Sequence, residues 1–556
     1  VWHRAQAGVG PDDDVATELE VCAVRAQARG GVAATAAFLE RSATLTLDPA
    51  LRVRRTVDAA QAHLGAGATE AAGDLLRTLD LAELDEHLRA RVLSLRGRIA
   101  FTRHDDGSGP RLMIRAAQEL AGPDPAGSRD AFLDALEMSL AVGRAGGVID
   151  DILTAARSAP PFPTSPDLLS ALIALRTRGY GAAAPLLRGA LYGRGRSLWT
   201  RHPALATMVA VELWDPDTFT AIAQWLVKVG RQSGSPLLLR LGLAQTAIDA
   251  ILTGDLGQAL AATAEEAAVA DATRAAPLLY HRMQLAALRG RRHEAEQIVR
   301  AAALAPNAGR VTSLDTATAV LHNGLADYPA ALQAARRATE HNDLFLSTAA
   351  LPELIEAAVR CHEPAVAARA LEQLTDRTTR TGTTPGRGVA ACARGLVTGA
   401  EESYREAVDL LTEGRLTIHL GRAHLLYGEW LRRRGRRRDS RDRLRTAHDL
   451  LTGCGADGFA RRAAAELRAT GVHLAPGSPR THDALTMQEA AVARLAAEGA
   501  TSREVAVRLF ISKRTVDAHL RTVFRKLGLT SRRQLRDHPG LLGRDGPAPP
   551  QPRTSR

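Results

Sequence analysis

At 556 residues and 59.2 kDa the chain has room for several domains, and a hydrophobic content of 45% is that of an ordinary globular protein rather than a low-complexity one. The formal net charge of +11 invites an acidic partner, yet lysine occurs only at Lys228, Lys513 and Lys526. The surplus is therefore arginine spread along the whole chain, which is weak evidence for such a partner.

Cys22, Cys361, Cys392 and Cys454 form no C-x-x-C pair, which argues against a disulfide framework or zinc site and for reduced thiols in a cytoplasm. The start, VWHRAQAGVGPDDDVA, lacks a signal-peptide core, and no apolar run approaches membrane-spanning length, so no membrane partner is expected. Val1 in place of Met suits an unusual start codon or a chain cut from something longer.

Alanine and leucine supply most of the apolar surface and aromatics only 4%, which predicts an all-α chain of helices packed through small residues. Between about Asp12 and Gly471 apolar helix ends recur at Gly254, Gly290, Gly324, Cys361 (in place of glycine), Gly399 and Gly435, in steps of 36, 34, 37, 38 and 36. Each is followed by a polar turn and a helix with small residues such as Ala259, Ala295, Ala330 and Ala407. The period is that of a degenerate tetratricopeptide-like solenoid over residues 1–470, in which each helical hairpin buries its apolar face on the next. Gly67 and Gly97 continue the style upstream less regularly, and SAPPFPTSP near Pro160 suits a bend. Such an array binds a protein or small-molecule effector, or serves as a spacer. The arginine cluster from Arg432 to Arg445 contains the Gly435 turn, Asp439 and Asp442 and reads as a solvated loop.

Catalytic chemistry is not visible. Asp105-Asp106, Asp150-Asp151 and Glu265-Glu266 are adjacent pairs that do not share a helix face, and His281 and His293 are too far apart for a helical metal pair. No nucleophile–base arrangement or glycine cradle occurs, so neither an enzyme nor a metal or cofactor is expected.

After a linker over 471–484, residues 485–538 change character. From Arg503 to Arg536 ten cations face only two acids, Glu504 and Asp517. Thr501 followed by Glu504 is a capping-box pattern that starts a helix after the Gly499 break, and Val505, Ala506 and Leu509 give it an apolar face. Phe510-Ile511 closes a turn, and Ser512 suits the N-cap of the next helix. In that helix Val516, Leu520, Val523 and Leu527 fall on one stripe, at offsets 0, 4, 7 and 11. Arg514, Ala518, Arg521 and Arg525 repeat those offsets on the opposite side. One stripe suits a small core and the other a groove flanked by phosphates, the layout of a helix-turn-helix DNA reader. The tail over 539–556, rich in proline and glycine, suits disorder.

The run LT-x-x-E, then G-x-T-S-R-E-V-A-x-x-L-x-I-S-x-x-T-V-x-x-H, then K-L-G-L-x-S-R resembles the LuxR-type helix-turn-helix of bacterial transcription regulators, from Leu485 to about Leu535. The resemblance implies a four-helix domain whose third helix reads the major groove of double-stranded DNA and whose fourth, from about Ser531, forms a contact in a homodimer. Carried over by position, it implies base-edge contacts around Asp517, Ala518, Arg521 and Thr522. It implies backbone contacts at Thr501, Ser502, Ser512, Arg514, Thr515, Arg525 and Lys526, with Lys513 and His519 in the same surface. RNA polymerase is a further candidate partner. Gln488, Ala490, Ala491, Ala493 and Asp517 depart from the family pattern, so the target sequence does not transfer.

The whole layout resembles the C-terminal part of large ATP-binding LuxR-type regulators. With Lys228 the one lysine before the reader and no glycine loop ahead of it, the chain holds no Walker A motif, so it is expected to lack their ATPase domain. The competing reading is a helical-repeat scaffold whose basic end docks an acidic protein.

Overall fold

The computed structural model describes the chain apart from residues 8–9, 30, 103–107, 143–147, 160–166, 194–196, 304–311, 341–345, 473–484, 486, 510–511 and 537–556. The expected bend near Pro160, the Phe510-Ile511 turn, most of the linker and the tail lie outside the described residues. Every regular element among the described residues is a helix, as the composition implies. The helices form two compact units, residues 1–205 with 302–311, and residues 206–301 with 312–556.

In the first unit helices adjacent in sequence pack on one another, as Asp13–Ala28 does on Val32–Leu45 and Glu86–Thr102 on Ser108–Leu120. Asp12 and Asp48 start two of these helices by accepting from the Val15 and Leu51 amides at 3.0 Å. Gly67 is left-handed, with φ +81°, just before the helix Thr69–Arg77, as a turn glycine should be. Gly97 is not a turn residue. It lies inside Glu86–Thr102, where a Cβ would sit 3.1 Å from the Gly109 carbonyl oxygen, so it lets two helices approach closely.

The second unit holds a series of helical hairpins with one recurring turn. Gly254, Gly290, Ala326, His362, Gly399 and Gly435 all have φ between +59° and +89°, and each lies two residues before the second helix of its hairpin. Their spacing is 36, 36, 36, 37 and 36 residues, more regular than the glycine pattern suggested. Helices do end at Gly324 and just before Cys361, but the left-handed turn position comes one or two residues later. Gly324 ends the helix Thr312–Gly324 against Phe459, and the left-handed positions are held by Ala326 and His362. A side chain there costs roughly 1–2 kcal/mol in backbone sterics, so a search for glycine passes over them.

The hairpin interior is closed by charge. Arg422 pairs with Glu353 and with Glu356 (2.8 Å), and Arg462 pairs with Glu356 (2.5 Å) and Glu429 (2.7 Å). Arg360 also pairs with Glu429. Three guanidiniums thus balance three carboxylates, and all but Arg360 are buried. Burial alone would raise the Glu356 carboxyl, but Arg462, Arg422 and Arg360 outweigh it and hold it at about 2.

One helix departs from the sequence reading. Pro236–Thr253 has 18 residues and a mean hydropathy of 1.2, enough by length and composition to cross a membrane. Half of it is buried, and its Arg240 donates to the buried Glu266 at 2.9 Å in the partner helix Leu256–Ala272, which suits the inner helix of a hairpin.

Candidate nucleic-acid interface

The basic end folds as four short helices: Met487–Ala497 (α1), Ser502–Arg508 (α2), Lys513–Leu527 (α3) and Arg532–Arg536 (α4). The capping box is present in both directions. The Glu504 amide donates to Thr501 Oγ1 at 3.2 Å, and the Thr501 amide donates to Glu504 Oε2 at 2.7 Å. That amide bond, with the Thr501 hydroxyl behind it, lowers the Glu504 carboxyl below its ordinary range. Ser512 caps α3 by accepting from the Thr515 amide at 3.1 Å, and Gly528 ends it in the left-handed conformation at φ +66°.

The two stripes of α3 separate as the periodicity requires. Val516, Leu520 and Val523 are buried and Leu527, at the end, is half-buried, while Arg514, Ala518, Arg521 and Arg525 are exposed. No ion pair among the described residues engages Arg514, Arg521 or Arg525. Lys513, Ser512 and Thr501 are exposed beside the helix starts. Asp517, Thr515 and Thr522 are half-buried on the flanks of the outward stripe, and the Thr522 hydroxyl donates to the Ala518 carbonyl at 3.2 Å. His519 is half-buried and points about 140° from Arg514, nearer the core side than the reading side.

Two cations have internal duties that sequence did not reveal. Lys526 Nζ lies 2.6 Å from Glu489 Oε2 and ties α3 to α1. Arg532 donates to Ser502 Oγ at 3.1 Å and to the Ala500 carbonyl, fixing α4 against the start of α2. Lys526 keeps two further N–H donors and Ser502 its own O–H, so a phosphate contact stays chemically open to both.

An amphipathic helix with an uncovered cationic stripe, entered through a capped helix and an N-capping serine, defines the helix-turn-helix class of nucleic-acid-binding domain. Residues 483–538 match GerE, the family of bacterial regulatory proteins of the luxR type, and are a LuxR-family helix-turn-helix domain. Curated proteins that carry the name HTH-type transcriptional regulator in Mycobacterium bovis and Mycobacterium tuberculosis are 49% identical over 59 residues, 11% of this chain. The match spans 7% of those relatives' length.

One cluster outside this domain has the composition of a metal site. In the first unit Asp134, Glu137 and His202 bring potential ligand atoms within 4.8 Å of one another. His202 is buried, 3.4 Å from Asp134, 3.7 Å from Asp130 and 3.8 Å from Glu137. Burial would depress its imidazole, but the three carboxylates outweigh that and push it up to about 11. Arg98 and Arg201 neutralise Asp134 and Asp130, so the single carboxylate charge left over is matched by an imidazolium. The charge balance suits a proton better than a divalent ion. The arginine cluster is not the loop expected from sequence. Apart from a short turn at Gly435 it lies in the helices Thr417–Arg433 and Arg437–Gly453, and Arg436 pairs with Glu401 and Asp439, Arg432 with Glu466 and Arg445 with Asp442.

Proposed function

We propose that this chain is a cytoplasmic bacterial transcription regulator whose α3 enters the major groove of double-stranded DNA. The observation that carries this reading is the α3 outward stripe, Arg514, Ala518, Arg521 and Arg525 exposed together within a LuxR-family domain. Thr501, Ser502, Ser512, Lys513, Arg514, Thr515, Arg525 and Lys526 contact phosphates, while Asp517, Ala518, Arg521 and Thr522 face base edges. An acid at Asp517 cannot neutralise phosphate, but it can accept from cytosine N4. Two copies bind a two-fold site, and the hairpin region receives a protein or small-molecule effector that alters their pairing.

The test is a gel shift of the full chain on fragments from its own promoter regions, at several salt concentrations. Specific binding weakens as salt rises, with a log–log slope of about −0.9 for each phosphate neutralised. Binding that discriminates no DNA sequence, alongside tight binding to an acidic protein, would replace this reading with the scaffold one.

A further inference from the structure

The outer side of α1 carries a feature that the reader's own core does not use. Glu489 faces α3 through its bond to Lys526, and at about 100° per residue Val492, Ala493 and Ala496 share that stripe. Ala490, Ala491, Arg494 and Ala497 fall on the opposite side, where a surface helix is ordinarily polar. Here that side is closed, with Ala490 2%, Ala491 0% and Ala497 1% exposed.

Besides α2, α3 and α4 of the reader, α1 packs on the hairpin helix Leu256–Ala272, and it does so from the side that carries Arg494. Asp255, the N-cap of that helix, accepts from Arg494 Nη1 at 2.9 Å. The hairpin helix shows the same anomaly from its own side. Pro236–Thr253 already covers one face, with Leu239 and Leu243 packed on Val269, yet Leu260 and Ala264, on the other side of the helix, are buried as well. Each helix thus buries small apolar residues on a second face, and the two faces pack on one another. Ala490 and Ala491 are also positions where α1 departs from the resemblance, with alanine in place of larger or charged residues. Small side chains let two helix backbones come close enough to bury such a face.

We propose that α1 is a docking helix whose partner is Leu256–Ala272 of the same chain, and that the reader is carried docked with its reading face uncovered. In this arrangement Arg514, Ala518, Arg521 and Arg525 remain exposed. A shift of the Pro236–Ala272 hairpin therefore re-aims the reader instead of unmasking it. This last consequence rests on the DNA-reading proposal, whereas the docking itself does not.

Thiol accessibility in the full chain tests both parts. Ala491→Cys and Ala490→Cys are treated with a maleimide, sites are located by mass spectrometry, and rates are compared with Val507→Cys on the same domain, where the valine is 70% exposed. Docking predicts labelling at 490 and 491 on the order of fifty times slower than at 507. Asp255→Arg should speed it about tenfold, and adding Arg494→Asp should restore the slow rate by re-forming the pair in reverse. Equal rates at 491 and 507 in the otherwise native chain overturn docking. The Asp255→Arg chain should bind a short duplex DNA within about threefold of the native chain, because the reading face is open in both. A tenfold rise in its affinity would mean that docking covers the face, and overturns that part. If neither chain binds DNA, the DNA-reading proposal fails while the labelling still reports on docking.

Discussion

Inside the hairpins Arg422 and Arg462 are buried and clamped by Glu353, Glu356 and Glu429, whereas in the reader Arg514, Arg521 and Arg525 stand exposed and without an ion pair among the described residues. The residue type is the same and the chain-wide composition treats both sets alike. What separates them is the company of acids: three for three in the interior, and two against ten between Arg503 and Arg536. A buried guanidinium survives only if its charge is matched and its donors are used. An exposed, unmatched one repels its neighbours and is useful only toward an anion. Arginine counts are thus uninformative until each is assigned an acid or none.

The comparison breaks most severely at Arg462. Arg462→Ala leaves two guanidiniums, Arg422 and Arg360, for three buried carboxylates, so one buried charge goes unmatched, and should cost about 3–5 kcal/mol in urea unfolding. Arg525→Ala, exposed, should stay within about 0.5 kcal/mol in the same measurement. Similar losses for both would show that the interior network is solvated and that the contrast is false.

On DNA the ranking should invert. Arg521→Ala is expected to cost about 1–3 kcal/mol and to relax preference at one base position. Arg525→Ala should weaken all sequences alike and reduce the salt slope by about 1. Selection from a randomised site separates the two effects. An unchanged preference with Arg521→Ala would mean that α3 sits in the groove in another register.

Much of the reader was legible because its determinants are local. The Thr501–Glu504 box, the Ser512 cap and the two α3 stripes each span fifteen residues or fewer, and the structure reproduces them. What escaped sequence reading depends on partners far along the chain. Asp255 and Arg494 are 239 residues apart, and Arg462 and Glu356 are 106 apart. No periodicity links such residues. The turns at Ala326 and His362 escaped for another reason, since the expected signal was glycine and the fold tolerates a side chain there.

Acid sharpens the comparison from the hairpin side. His281 is fully buried, and burial, with the charges of Arg282 and Arg240, pushes its imidazole down to about 3. The folded state keeps it neutral while the unfolded chain protonates it below its ordinary value of 6.5. Its contribution is intact above pH 6.5 and is lost as pH falls, at about 1.4 kcal/mol per unit. His281→Leu should remove that much of the slope between pH 6.5 and 5, before carboxylates contribute. An unchanged slope would place a proton-accepting partner on His281.

The smallest effect is the most discriminating for the reader. Ser512 is both the N-cap of α3 and a proposed phosphate contact, so alanine removes two things at once. Ser512→Ala should cost about 1 kcal/mol of stability through the lost cap, whereas glycine at a cap costs only a few tenths. Ser512→Gly therefore leaves α3 nearly intact while still deleting the hydroxyl. If the hydroxyl touches a phosphate, the two variants lose similar DNA affinity despite their different stabilities, and both lose it evenly across sequences. If affinity instead tracks stability, with glycine close to the native chain, Ser512 acts by organising the helix start alone, and the phosphate contact at that end falls to the exposed backbone amides of α3.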